Sequence, residues 1–178
     1  KINQKKKTLT AFLLFFALQS VSLQAQNPVH QQRSAIDFDS IINADAFSEA
    51  HARKFAELII QDSGGRMKPA NTFSSELLRK VSKSDTYQGL NSDQVLLSIM
   101  NNPAVWYNVP LIYLKRGNDS IRKLAGLDAK AKYAPLLSFF DNTGNYKLAT
   151  PLEEAYRAAV PNQFQKDFIE LDRKVNLL

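Results

Sequence analysis

The sequence predicts a mainly α fold with short β-hairpins (α+β), in which a small, irregular helical domain follows an N-terminal signal or anchor helix. Three observations carry this. Apolar residues recur at helical spacing in several segments, each preceded by a residue able to cap a helix. Short apolar runs are separated by Gly- and Asp-rich turns. A lysine cluster followed by ten apolar residues, 9–18 (LTAFLLFFAL), opens the chain.

Taken in order, Lys5, Lys6 and Lys7 form a basic region ahead of that run. Ser20, Ser22 and Ala25 supply the small residues of a cleavage region, which completes the three-part pattern of a secretory signal. The run is shorter than the ~20 residues of a comfortable membrane span. Residues 1–26 are therefore read as a signal peptide or transmembrane anchor; the preceding lysines argue against a buried core helix. Residues 27–45, polar and holding Gln31 and Gln32, are read as a linker. Residues 46–178 are read as a helical domain that lies outside the cytoplasm.

Within that domain, Asp45 is expected to cap a helix over residues 47–58. Asp62-Ser63-Gly64-Gly65 signals a turn, with a short hairpin formed by residues 58–60 and 66–68 and ended by Pro69. Thr72 is expected to cap the next helix, with Leu77, Leu78 and Val81 on one face, and Ser92 a third, with Val95, Leu96 and Ile99. Residues 109–115 read as a strand, and residues 120–124 as a helical turn closed by Gly126. Residues 141–145 form a polar turn. Pro151 and Pro161 start the last two helices. Phe164, Phe168, Leu171, Val175 and Leu178, spaced 4, 3, 4 and 3, form a heptad-like stripe. The stripe still runs at Leu178 and the sequence opens on Lys1, so the expectation is a segment of a longer protein, attached to the membrane at both ends.

Charge and composition narrow the function. Of the net +6, four charges belong to Lys1, Lys5, Lys6 and Lys7; from Asn27 onward 19 basic residues face 17 acidic ones. That near-balance gives no basic face for nucleic acid. There is no cysteine, which removes disulfides, thiolate catalysis and Cys-ligated metal. The two histidines, His30 and His51, fit no zinc-protease spacing, and no serine lies in a nucleophile elbow. Gly64-Gly65-Arg66-Met67-Lys68 lacks the order of a phosphate loop, and residues 141–145 lack the Glu that closes a calcium loop. Trp106 is expected to anchor a loop in the core or at a membrane interface. Asp62 with Glu57, and Glu153 with Glu154, are the carboxylate pairs an acid–base enzyme would need. Adjacent acids on a helix diverge by about 100°, so the second pair reads as a solvated helix start.

Several strings resemble one family. His51, Lys54-Phe55, Leu58-Ile59-Ile60-Gln61-Asp62, Gly65-Arg66-Met67-Lys68-Pro69 and Asn71-Thr72 lead the match. Leu77-Leu78-Arg79-Lys80, Asp93-Gln94-Val95-Leu96-Leu97, Phe139-Phe140-Asp141, Gly144-Asn145-Tyr146-Lys147-Leu148 and Asp172-Arg173-Lys174-Val175-Asn176 continue it. They resemble an extracytoplasmic segment of fused bacterial cytochrome c biogenesis proteins of the CcsA/CcsB (system II) type. The resemblance covers about residues 46–178. It implies a domain facing the periplasm at the bacterial cytoplasmic membrane, within a machine that delivers haem for covalent attachment to apocytochrome c. The family's Trp-rich haem loop has no counterpart around the single Trp106, so no haem site is carried over and haem belongs to the full-length protein. Expected partners are the membrane, apocytochrome c and the haem-handling membrane domain. The competing expectation is a secreted binding protein cleaved after Ala25.

The candidate partner-binding residues are Asp62, Arg66, Lys68 and Asn71. Arg66 and Lys68 lie two apart, which on an extended segment puts both cations on one face toward an acidic partner. Asp62, across the turn, would orient one of them or simply pin the hairpin.

Overall fold

The computed structural model describes residues 37–62 and 64–178. The expected signal or anchor lies outside them, as does His30. Among the described residues no helix is long and apolar enough to cross a membrane.

The described residues form eight α-helices and three two-stranded antiparallel sheets. The first helix, α1 (Phe38–Ala44), falls inside the stretch expected to be linker. Asp37 caps it by accepting from the Ser40 amide, and Ile42, 2% exposed, ties it to the core. One buried side chain among polar neighbours left little periodicity to read. Asp45 closes this helix instead of opening the next. The cap of α2 (Glu49–Ala56) is Ser48, whose hydroxyl accepts from the His51 amide.

The expected hairpin forms. Strand β1 (Ile59–Gln61) pairs with β2 (Met67–Pro69), Ile60 lying opposite Lys68. The chain then passes straight from Pro69 into α3 (Ala70–Ser82), and the Ala70 amide donates to the Leu58 carbonyl at 2.7 Å. That bond replaces the cap expected from Thr72, which sits inside the helix. Helix α3 ends on Lys83 in the left-handed region, φ 63°.

A second hairpin follows, β3 (Thr86–Tyr87) with β4 (Leu90–Asn91), turning on Gln88 and Gly89 at φ 47° and 83°. Positive φ at both central positions is the geometry that matches the right-handed twist of a tight hairpin. Asn91, one residue before the expected cap, starts α4 (Ser92–Asn101) through a reciprocal capping box with Gln94. The short α5 (Pro103–Trp106) buries Trp106, whose indole N–H donates to Ser98 Oγ at 2.9 Å. Of the strand expected over 109–115, only β5 (Ile112–Tyr113) pairs, with β6 (Tyr133–Ala134). Between them lies α6 (Asp119–Ala125), ended by Gly126 at φ 69°. The buried Arg122 of α6 donates to the carbonyls of Ala131, Asn118, Leu114 and Lys115, which fixes the surrounding loops.

A 3-10 turn over Leu136–Phe139 leads to the polar 141–145 turn, bridged by Phe140 and Tyr146. Asp141 gathers the amides of Thr143 and Asn145 on its carboxylate. Those bonds, with the Thr143 hydroxyl and the Asn145 amide group foremost, hold its carboxyl well below the usual range. The last two helices, α7 (Ala149–Arg157) and α8 (Gln163–Val175), pack together. Phe168, Leu171 and Val175 of the stripe are buried, while Phe164 is partly exposed. Tyr146 and Tyr156 both donate to Asp172 and stitch α8 to its neighbours. The core runs from Ile42 through Leu78, Val95, Trp106, Ile112 and Phe139 to Phe168.

Candidate functional site

The β1–β2 hairpin sits beside α3 and forms one wall of an open cleft of about 520 Å³. Its other wall is a single face of α3, on which Phe73, Glu76, Leu77 and Lys80 are spaced i, i+3, i+4 and i+7. Leu177, past the end of α8, closes one side.

Asp62 organises the turn. Its Oδ1 accepts from the amides of Gly64 at 2.9 Å and Arg66 at 3.0 Å, and its backbone closes the loop through Asp62 N to Arg66 O, 2.9 Å. Its Oδ2 faces Lys68 Nζ at 3.3 Å and the Arg66 guanidinium at 3.5 Å. The Arg66 amide, more than the cations, holds the Asp62 carboxyl below its ordinary range. Lys68 reaches further into the cleft and donates to Glu76 Oε2 at 3.0 Å. The Glu76 bond raises the ammonium's pKa, and Lys68 lowers that of Glu76 in return. A chain of alternating charge, Arg66–Asp62–Lys68–Glu76, therefore runs from the turn onto the helix.

The two cations differ in what they offer. Arg66 precedes β2 and its side chain is 83% exposed; Lys68 points into the cleft and is 17% exposed between two carboxylates. Both reach the same carboxylate oxygen, Asp62 Oδ2, and line the same cleft, although the strand itself begins only at Met67. Arg66 and Lys80 are the cations available to an incoming acidic group, and Lys68 sets their surroundings. Lys80 was open to sequence reasoning: its helical spacing from Phe73 and Glu76 marks it as part of the same face.

Asn71 takes no part in the cleft. Its amide donates to Asp93 Oδ2 at 2.8 Å, and Ser74 donates to the other oxygen of the same buried carboxylate. This knot joins the starts of α3 and α4, where the positive ends of two helices suit a carboxylate. Asn71 is thus placed in a junction between helices, away from Arg66.

The remaining chemistry-bearing residues are dispersed. Glu153 pairs with Arg157 on the surface of α7. His51 is exposed, its ring 5.2 Å from Phe47. Among the described residues no cluster of three or more His, Asp or Glu side chains is placed to hold a metal. His51 stands on an exposed helix face, and Met67 and Met100 are each about two-thirds exposed. The exposed Arg66 and Lys80 beside the cleft suit ionic recognition of an acidic group.

No family model matches the chain. Among curated proteins it is similar to Protein NrfI of Wolinella succinogenes, with 33% identity over 134 residues. The match covers 73% of this chain and 14% of that protein, so the chain spans about one seventh of the relative's length.

Proposed function

We propose that this chain is an extracytoplasmic module of a membrane cytochrome c assembly protein, acting where haem is delivered and attached to apocytochrome c. The observation that carries the reading is the similarity to Protein NrfI, 33% identical across 134 residues. It supports a role in cytochrome c maturation, the same context implied by the strings between His51 and Asn176. The parent is proposed to be a fused protein of the system II type, held at the bacterial cytoplasmic membrane with this domain facing the periplasm.

In this reading the module is non-catalytic and binds no haem of its own. Its chemistry is charge recognition. Arg66 at the tip of the hairpin and Lys80 on α3 flank a cleft whose walls also offer Phe73 and Leu77. A guanidinium that is mostly solvated in the free state can grip a carboxylate in a bidentate pair when the cleft is covered. The matching partner group is a carboxylate patch on apocytochrome c, or a haem propionate presented by the membrane domain.

Removing the parent protein tests the assignment. Haem-stained c-type cytochromes should disappear from the membrane fraction while non-covalent b-type haem, read from its reduced absorption band, persists. Undiminished c-type cytochromes would overturn it.

A further inference from the structure

The hairpin has a second face, opposite Lys68, on which every residue is exposed and all but Gln61 are apolar; Gln61 also lines the cleft. The register sets Ile59 opposite Pro69 and Gln61 opposite Met67. Side chains alternate across a strand, so these four share the face opposite the Ile60–Lys68 pair. Ile59 is 59% exposed, Met67 65%, and Leu58, just before the strand, 54%. Full burial of such a side chain is worth about 1.5–3 kcal/mol, a gain the folded domain leaves uncollected at three neighbouring positions. Arg66 lines the cleft with a side chain 83% exposed, one end of its guanidinium 3.5 Å from Asp62 Oδ2, while Asp62 is turned onto the turn amides and Lys68.

We infer that this face docks on a lipid surface carrying anionic headgroups. Apolar side chains at a hairpin tip enter the headgroup–acyl boundary, and a solvated guanidinium beside them pairs with lipid phosphate. The inference rests on the reading in which residues 9–18 hold the chain at the membrane. The stretch between Leu18 and Asp37, even fully extended, spans at most about 68 Å. Such a tether makes docking intramolecular, so that a small patch suffices. The rival occupant, a peptide strand added to the edge of β1, is disfavoured because that strand has only three residues.

The chain has no cysteine, so single thiols report position cleanly. The full chain carrying Ile59→Cys or Met67→Cys is labelled with an environment-sensitive fluorophore in phosphatidylcholine–phosphatidylglycerol vesicles holding a shallow lipid quencher. Lys130→Cys, in an exposed turn, is the control. Blue-shifted, strongly quenched emission at 59 and 67, with solvent-like emission at 130, is the expected result. Solvent-like emission at all three on chain that stays with the vesicles would overturn this inference alone. Burial of the label that rises with the protein-to-lipid ratio would assign the face to a second copy and overturn it. Release of the chain by carbonate would overturn the anchor reading and the docking with it.

Discussion

The two hairpins are built alike and used differently. In β3–β4, Tyr87 packs edge-on against Trp106 with ring centroids 5.3 Å apart, and its hydroxyl donates to Asp39 of α1 at 2.6 Å. Leu90 is 8% exposed. Every apolar side chain of that hairpin has been taken into the core. In β1–β2 the inward Lys68 joins an ion chain and the outward face is left to solvent. A hairpin whose side chains serve the core explains itself by stability. One that exposes Ile59, Met67 and Arg66 contributes little to stability, and its residues are free to serve recognition.

Four changes sharpen or break this contrast. Leu90→Ala should cost the most, about 2–5 kcal/mol as the core atoms are lost, read as a lower urea midpoint with unchanged slope. Gly89→Ala comes next: its φ of 83° lies in the left-handed region and no atom lies within 4 Å of the new Cβ. The cost is therefore backbone strain alone, about 1–2 kcal/mol. Asp62→Asn should act locally, loosening amide exchange at Gly64 and Arg66 with a small change in the global midpoint. Smallest of all, Ile59→Gln combined with Met67→Gln should leave global stability within about 0.5 kcal/mol. A loss comparable to that of Leu90→Ala would erase the distinction between the hairpins.

The ion chain also sets a pH window. Asp62 and Glu76 have folded pKa values below their ordinary 3.8 and 4.5. Their contribution is therefore present above those values and lost as pH falls through the lower folded ones. Lys68 is raised above 10.5, so its share is complete below that pH and lost as pH climbs through the raised value. The protection of the Arg66 amide, its exchange relative to the intrinsic rate at each pH, should be flat between these limits and fall in acid. In Asp62→Asn the acid loss of protection should shrink to the part owed to Glu76.

How far the sequence revealed this depends on the kind of signal. The β1–β2 hairpin was legible because Gly64, Gly65 and Pro69 are strong punctuation, and α8 because its stripe is long. The β3–β4 hairpin was not, since its first turn residue is Gln88, which seldom takes positive φ. The caps shifted by one to three residues, to Ser48, Asn91 and Pro69, because serine, asparagine and aspartate compete for neighbouring positions and tertiary bonds such as Ala70 to Leu58 decide. At the site, the pairing of Asp62 with Arg66 followed from the turn. The inward aim of Lys68 depended on where β2 begins, and the bond from Asn71 to Asp93 spans 22 positions of chain, beyond any local pattern.

The central claim is that the β1–β2 hairpin is the working surface of the module. Its most direct test is the amount of covalent haem on c-type cytochromes in cells whose parent protein carries Arg66→Gln and Lys68→Gln. The account predicts that this yield falls while the level and protease resistance of the protein stay unchanged. A normal yield, or loss of the protein itself, would contradict it.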